Sequence, residues 1–251
     1  LEYLRNDAAQ TRVHDVTTAE ASLTLRYAPG ESFVNSKQRR IPVSLDAPIF
    51  TLTHAMGFKG VLGGEYSFNR TEASVWKRFW LPSSWGKIDC SIKAGAEWNT
   101  VPFPLLILPE ANLSYITQRE TFNLINNMEF LNDRFASVSL SYDMNGKLFN
   151  RIPLIKNLKW REMFRVRALW GTLTDKNNPF KSSNPDLFRF PMRDGKFTSF
   201  VMDPKIPYVE ASVGIYNIFK LLHIEYVHRF TYRDNPGINK NGVRFMVLMA
   251  F

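Results

Sequence analysis

Apolar and polar side chains alternate with a period of two along segment after segment of this chain. Within residues 134–144, every even position from 136 onward is apolar, and the odd positions from 137 onward hold three serines and an aspartate. Residues 18–28, 87–99 and 221–232 divide in the same way. Because successive side chains of a β-strand point to opposite faces of the sheet, this pattern predicts strands with one apolar and one polar face. The expected fold class is therefore all-β.

Weaker alternation extends the prediction to about ten strands, separated by short turn signals. The turn signals are PGE at 29–31, SSWG at 83–86, ND at 132–133 and NPG at 235–237. Residues 174–206 are polar, rich in proline and asparagine, and much longer than an ordinary hairpin loop, which predicts an extracellular loop. The predicted strands cover residues 3–13, 18–28, 47–57, 64–81, 87–99, 120–131, 134–144, 207–218, 221–232 and 242–251.

The hydropathy of the chain excludes membrane-spanning helices but is compatible with membrane-spanning strands. No apolar run approaches the roughly 18 residues that such a helix needs. The mean hydropathy of −0.22 does not bear on strands, in which only every second residue faces lipid. Charges on the polar faces, and aromatic residues toward strand ends, favour a transmembrane antiparallel β-barrel over a water-soluble sandwich. The aromatic residues assigned to the apolar faces are Trp76, Trp80, Trp98, Tyr216 and Tyr232.

The net charge of +9 does not indicate a nucleic-acid partner. Lysine and arginine are spread through loops and alternate strand positions, without a basic helix, a zinc-ligand spacing or an RNA-binding signature. We expect the charge to meet anionic lipopolysaccharide and lipid, or to line a lumen. The single cysteine, Cys90, excludes an intramolecular disulfide and a multi-cysteine metal site.

The four histidines give little support for catalysis or metal binding. Neither GxSxG nor HExxH occurs in the sequence. His54 and His228 fall on apolar faces, and His14 has no patterned partner. Only His223 with Glu225, on one polar face, forms a pair worth testing. We expect no enzymatic activity, no cofactor and no metal.

The last strand resembles the closing strand of bacterial outer-membrane β-barrels, in which a terminal aromatic residue acts as a sorting signal. Residues 242–251 place apolar side chains on one face, and the chain ends on phenylalanine. The resemblance implies an outer-membrane location with a periplasmic C-terminus. The residues of this closing strand and sorting signal are Val243, Phe245, Val247, Met249 and Phe251.

Several longer sequence words resemble a Bacteroidota family of uncharacterised outer-membrane proteins, and they do so over nearly the whole chain. Members of that family usually combine an N-terminal carboxypeptidase-regulatory-like domain with a C-terminal barrel, and the first of these is absent from this sequence. The resemblance implies an architecture and no activity. The words are RYAPGE (26–31), KRFWLPSSWGKID (77–89), VPFPLLILPEANLSYI (101–116), NNMEFLNDRF (126–135), FNRIPLIKNLKWRE (149–162) and NIFK (217–220).

From about residue 85 the chain also resembles the barrel of the BamA/TamA-like assembly-factor superfamily. In those proteins a loop folds into the lumen, where its arginine is held by an acidic strand residue. The resemblance implies a lumen network of Glu129 and Asp143 on one wall with Arg119, from an infolding loop at about 102–119. YDMNG at 142–146 departs from the superfamily spacing, and the loop lacks the Arg-Gly-aromatic motif. A solvated network without a latching role is the alternative.

Residues 159–172 allow two strand counts. If they form a full strand, the ND turn lies outside the cell. If the superfamily alignment holds, that turn is periplasmic and residues 146–206 are one extracellular excursion. The alignment favours the second reading, with residues 1–251 forming one barrel domain that supplies about the last ten strands of a probable sixteen and lacks an N-terminal portion.

Two functions follow from these expectations. The first is a non-enzymatic outer-membrane barrel of assembly-factor-like architecture. It would act as a scaffold or as a component that handles envelope proteins. Its expected protein partners are other outer-membrane proteins or lipoproteins in a complex. A client strand would add at the barrel seam by β-augmentation. The alternative is a passive or gated pore, whose ion selectivity would be set by lumen charges. Those charges are Lys87, Lys93, Glu97, Glu129, Asp143, Glu225 and Arg229.

Overall fold

A computed structural model describes residues 3–35, 37, 39–44, 46–118 and 120–247. Nine strands form one antiparallel sheet, and each strand is hydrogen-bonded to its neighbours in sequence. The strands are β1 (Glu20–Tyr27), β2 (Ile49–Gly57), β3 (Phe68–Trp80), β4 (Lys87–Glu97), β5 (Arg134–Asp143), β6 (Arg161–Thr172), β7 (Tyr208–Ile218), β8 (Leu222–Arg229) and β9 (Asn241–Val247).

Small elements fill the connections between these strands. None of the helices in the described part of the chain has the length and apolar character that crossing a membrane requires. Two-stranded ladders join Tyr3–Leu4 to Arg12–Val13, Phe33–Asn35 to Arg40–Pro42, and Met192–Arg193 to Lys196–Phe197. The helices are one α-helix, Pro153–Leu158, and the 3₁₀ turns Phe103–Leu105, Phe149–Arg151 and Asp175–Asn177.

The sheet is open, because β1 and β9 are its two edges and the described residues contain no pairing between them. Its register brings residues of one parity opposite each other from strand to strand. Leu140 of β5 lies opposite Cys90 of β4 and Val166 of β6, and Ile224 of β8 lies opposite Phe245 of β9. The all-β antiparallel prediction is confirmed, with nine strands in place of about ten.

Three strand assignments from the sequence are wrong. Residues 3–13 form no strand of the sheet, because Tyr3–Leu4 and Arg12–Val13 fold back on each other as a separate two-stranded ladder. Residues 120–131 form no strand, because Phe122, Ile125 and Phe130 pack into a loop cluster without period-two spacing. Residues 161–172 form a full strand, β6, paired along its length with β5 and β7. The favoured reading of 146–206 as a single excursion is therefore corrected.

The connections fall at two ends of the sheet. One end, which we call the loop end, contains residues 58–67, 98–133, 173–207 and 230–240. At the opposite end, the turn end, lie residues 28–48, 81–86, 144–160 and 219–221. The two longest connections thus share the loop end. ND at 132–133 also lies there, as a full strand at 161–172 requires.

The two faces of the sheet have opposite character. We call the face against which residues 98–133 pack the inner face, and the other the outer face. The outer face is apolar and exposed: the exposed fractions of Ile92, Leu140 and Ile224 are 46%, 42% and 40%. The inner face carries buried charges, namely Glu97, Arg165, Arg167, Glu210, Glu225 and Arg229.

The aromatic residues do not all lie where the sequence pattern assigned them. Trp76 and Tyr216 line a cavity on the inner face, and Trp80 lies beside Arg78 of the same strand. Tyr232 packs on Phe130 at the loop end. The assignment of these four to the apolar face is wrong, because each finds a charged or aromatic partner on the inner side.

Candidate functional site

The connection between β4 and β5 folds back over the inner face of the sheet, and we call its described residues, 98–118 and 120–133, the plug. At one side of the sheet, Arg70 of β3 donates a hydrogen bond to the carbonyl of Leu105. At the other side, the N–H of Phe245 in β9 donates to the carbonyl of Tyr115 at 2.9 Å. The plug therefore spans the inner face from β3 to the edge strand.

Residues 173–207, which we call the cover, close the loop end above the plug. Plug and cover share two hydrophobic clusters, whose burial replaces the core that a soluble sandwich would have between its sheets. The first cluster contains Phe68, Val101, Phe103, Leu106, Leu131, Leu173, Phe188 and Phe190. The second contains Phe122, Ile125, Phe130, Leu169, Met202 and Tyr208.

An ion pair between Arg229 of β8 and Glu129 of the plug is the most buried charged contact between plug and sheet. Arg229 Nη2 lies 2.6 Å from Glu129 Oε1, and Nη1 lies 3.1 Å from Oε2. The arginine is 0% exposed and the glutamate 1%. Two parallel N–H···O bonds fix the orientation of the planar groups as well as attracting them.

The remaining hydrogen-bonding groups of this pair are also satisfied. Arg229 donates to the carbonyls of Leu124, Thr231 and Tyr232 at 3.2, 3.0 and 2.8 Å. Glu129 accepts from the Asn126 N–H at 3.0 Å. A buried pair stabilises a fold only when such additional bonds offset the loss of water.

Aromatic rings exclude water from the guanidinium of Arg229. The ring of Tyr208 lies 4.8 Å from it and that of Phe130 5.8 Å. Burial raises the pKa of Tyr232. Tyr232 packs edge-to-face on Phe130, and its hydroxyl donates to the Ile206 carbonyl at 2.7 Å. The cover is thereby tied to the ion pair.

Glu210 of β7 forms a second anchor for the plug. Its carboxylate accepts the backbone N–H groups of Asn123 and Leu124 at 2.9 and 3.1 Å. It also accepts from the Tyr208 hydroxyl at 2.9 Å and from Arg167 at 3.2 Å. A strand carboxylate thus satisfies two plug amides that burial would otherwise leave without a partner.

Asp133, at the end of the plug, joins plug, sheet and cover. Its Oδ2 accepts from the Thr174 N–H at 3.1 Å and from Asn177 at 3.0 Å. Its backbone N–H donates to Thr172 of β6 at 2.9 Å. The ND sequence therefore serves as a buried junction between three elements.

His223 and Glu225, the pair considered for catalysis, belong to a closed ion-pair cluster in the wall. His223 Nε2 lies 3.3 Å from Glu225, which also binds Arg165 at 2.9 Å and accepts from the Ser212 hydroxyl. Because Ser212 bonds to the carboxylate and not to the imidazole, the contacts lack the serine-to-histidine bond of a nucleophile–base pair. In the described part of the chain no cluster of three or more His, Cys, Asp or Glu could hold a metal ion.

A cavity of about 450 Å³ lies between the plug and the inner face. Residues of every strand from β3 to β9 line it, which requires the sheet to curve around the plug. Its wall contains a serine ladder and charges of both signs, including Lys93, which binds Glu110 of the plug at 2.9 Å. Arg78, Lys87 and Asp143 line the part nearest the turn end.

Of the three residues predicted to form a lumen network, the structure describes Glu129 and Asp143 and gives them different partners. Glu129 lies in the plug and not on a strand, and it pairs with Arg229. Asp143 ends β5, where it lies 3.5 Å from Lys87 and accepts from the Tyr216 hydroxyl at 2.5 Å. Arg119 lies outside the described residues.

The C-terminal residues predicted as a closing strand form β9, an edge of the open sheet, as far as the structure describes them. Val243, Phe245 and Val247 are exposed on the outer face of β9. Met249 and Phe251 lie outside the described residues.

The main ion pair joins an arginine of the wall to a carboxylate of the plug, a contact that the sequence did not predict. The sequence pattern placed Arg229 on the polar face but did not connect it to Glu129. Glu210 and Arg167 were missed entirely. Their positions alternate with Val209 and Val166, so the period-two pattern on β6 and β7 is the signal that could have identified them.

The C-terminal domain of the family of unknown function DUF5686 matches residues 3–180. The chain belongs to this family. The family match includes β1 to β6, the plug, Glu129 and Asp143, whereas Glu210, Glu225 and Arg229 lie beyond it. None of the curated proteins matches the chain.

Gly171 of β6 is expected to be sensitive to a single added methyl group. A Cβ at this position would lie 2.2 Å from the side chain of Asn132, which is fully buried and held by a backbone bridge to Ile107. We expect Gly171→Ala to lower the free energy of unfolding by about 1–3 kcal/mol. Denaturant titration of the protein in micelles measures the change.

The double variant Gly171→Ala/Asn132→Ala is the control for that prediction. The clash is with the Asn132 side chain. Gly171→Ala should therefore cost less stability in the Asn132→Ala background than in the unaltered protein. Strictly additive losses would contradict the proposed contact.

Proposed function

We propose that the nine strands form part of the wall of a transmembrane β-barrel in a bacterial outer membrane. The observation that carries the proposal is the reversed polarity of the sheet. Its large apolar side chains are exposed on the outer face, while Glu129, Glu210, Glu225 and Arg229 are buried on the inner side. A water-soluble sheet protein would bury the first set and expose the second.

The continuity of the apolar surface favours lipid over a local protein contact. The register links exposed side chains across strands, from Leu25 opposite Leu52 on one side to Ile224 opposite Phe245 on the other. Eight inter-strand spacings make this surface roughly 38 Å wide. Monomeric soluble proteins rarely expose apolar patches of such extent.

A barrel wider than nine strands accounts for the open edges. Closing eight or nine strands leaves an interior just large enough for side chains, whereas this sheet encloses the plug and a cavity of about 450 Å³. Open edges are costly in lipid, so further strands must complete the wall. A wider barrel agrees with the sixteen strands of the BamA/TamA-like superfamily. We propose that the chain is related to that superfamily and to the Bacteroidota outer-membrane proteins.

The two ends of the sheet suggest an orientation. Outer-membrane barrels have short periplasmic turns and long extracellular loops. The loop end would then face lipopolysaccharide, and the turn end, to which β9 runs, would face the periplasm together with the C-terminus.

Within that setting we propose a non-enzymatic role, as a scaffold or in handling other envelope proteins. The anchored plug and cover support this role over a passive pore, because buried ion pairs and two hydrophobic clusters close the loop end. The cavity is lined toward the turn end by Arg78, Lys87 and Asp143, and we propose that contacts with clients or lipoproteins are made on this periplasmic side.

Insertion into lipid vesicles tests the membrane proposal. The refolded chain should float with vesicles and resist alkaline extraction, and added protease should spare β3 to β8 while cutting exposed loop residues such as Phe180. A chain that stays monodisperse in detergent-free buffer, outside the vesicle fraction, would contradict the proposal.

Conductance across planar bilayers distinguishes the plugged barrel from the pore. In the barrel completed by the further strands, we expect no large, steady channel while the plug is unaltered, because it is held at Glu129 and Glu210. Glu129→Ala/Glu210→Ala removes both anchors and should produce frequent openings. A steady open channel before any substitution would favour the passive pore.

A further inference from the structure

A short stretch of the plug occupies the free edge of β9. The N–H of Phe245 donates to the Tyr115 carbonyl at 2.9 Å, and the N–H of Thr117 donates to the Phe245 carbonyl at 2.8 Å. Ile116 is thereby the parallel partner of Phe245. These are the main-chain bonds with which an added strand extends a sheet.

The stretch covers only part of that edge. In an antiparallel pair, alternate residues direct both backbone groups away from the partner strand. Since Phe245 directs its groups away from β8, Val243 and Val247 do the same. Among the described residues, Ile116 forms the only bridge to this edge. The neighbouring groups, apart from the Val243 carbonyl, which accepts from Arg244 Nη1 at 3.1 Å, are therefore available to a longer strand.

Few side-chain contacts join the stretch to β9. Arg244 of β9 donates to the Asn123 carbonyl, and its guanidinium lies 5.9 Å from the Tyr115 ring. The side chains of Tyr115 and Ile116 are 72% and 55% exposed, so little apolar area is buried by the contact. The bridge to β9 is therefore formed mainly by main-chain bonds that another backbone could replace. Within the plug, the stretch is held by Asn112, which donates to the Ile116 carbonyl at 2.8 Å, and by the buried Thr117.

We infer that Tyr115–Thr117 is an internal competitor for the free edge of β9, displaced when an extended polypeptide strand with alternate apolar side chains adds there. The inference rests on the proposed function, in which the wall is completed or extended at this edge. Residues 20–27 of β1 alternate polar and apolar side chains, and a free peptide with this sequence can pair in the parallel direction that Ile116 takes. A peptide with the sequence of β1 is therefore a suitable strand probe.

A reversible disulfide tests the competition. In a Cys90→Ala background, Ile116→Cys/Phe245→Cys joins residues of adjacent strands, which are about 4.8 Å apart and within disulfide reach. The matched control, Ile224→Cys/Phe245→Cys, joins β8 to β9 and leaves the edge unchanged. Fluorescence anisotropy measures binding of a labelled peptide of residues 18–28 to the full chain in micelles.

We expect the oxidised Ile116→Cys/Phe245→Cys protein to bind the peptide at least about ten-fold more weakly than after reduction, a difference of about 1.4 kcal/mol. The control should bind equally in both states. Thr117→Pro, which removes one of the two edge hydrogen bonds, should bind several-fold more tightly than the Cys90→Ala parent.

Two results would overturn the inference without touching the membrane proposal. Equal binding by the oxidised and reduced Ile116→Cys/Phe245→Cys protein would show that the stretch does not compete. Absence of binding in every variant would show that the edge accepts no strand. Vesicle insertion is measured separately and decides the proposed function independently of both.

Discussion

Replacing Arg229 by methionine is expected to lower the free energy of unfolding by about 3–5 kcal/mol, among the largest effects of any single substitution in this protein. The variant leaves the Glu129 carboxylate buried beneath Phe130 and Tyr208 without its cation. Guanidinium titration in micelles measures the loss, and limited proteolysis should show earlier cleavage within the plug.

A surface ion pair at the same end of the sheet supplies the matched control. Lys181 lies 2.9 Å from Asp175, but both side chains are more than half exposed. Lys181→Ala should therefore cost less than about 1 kcal/mol. The double variant Arg229→Met/Glu129→Leu should lose less than Arg229→Met alone, because no buried charge remains. Equal losses for Arg229→Met and Lys181→Ala would contradict the anchoring role.

Leu140→Arg is expected to destabilise the lipid-inserted protein by about 2–4 kcal/mol, the cost of an arginine on the lipid face near the bilayer midplane. Leu140 lies near the middle of β5, exposed on the outer face between Cys90 and Val166. Unfolding from vesicles by guanidinium measures the change.

Ser141→Arg, one residue along the same strand, is the control for the Leu140 prediction. Ser141 faces the cavity, opposite Asp89 of β4, which also binds Arg78, and opposite Arg165 of β6. An added guanidinium can extend there into the polar cavity and does not enter lipid. Its effect should be much smaller. Similar losses for both substitutions, or a negligible loss for Leu140→Arg, would argue against lipid on the outer face.

The strands could be predicted from sequence because alternation depends on neighbouring residues alone. β3, β4, β5, β7 and β8 lie within the predicted ranges, and parity assigned Lys93, Glu225 and Arg229 to the polar face. The same local pattern misplaced residues 120–131, whose apolar side chains are buried by the cover, a segment distant in sequence.

The site was harder to predict than the strands because its contacts join residues far apart in the chain. Glu129 and Arg229 are 100 positions apart, and their pairing depends on how the plug crosses the sheet. The sequence analysis predicted an infolding segment, and residues 98–118 and 120–133 fold over the inner face. It gave Glu129 the partner Arg119, which lies outside the described residues, and it did not predict the contact with Arg229.

The most direct test is the accessibility of spin labels placed one at a time at residues 136–142 in vesicles, in the Cys90→Ala background. If lipid covers the outer face, collisions with oxygen should be frequent at the even positions, such as Leu140, and rare at Ser137, Ser139 and Ser141. Uniform accessibility along β5, or labels at even positions shielded within a lipid-free globule, would contradict the account.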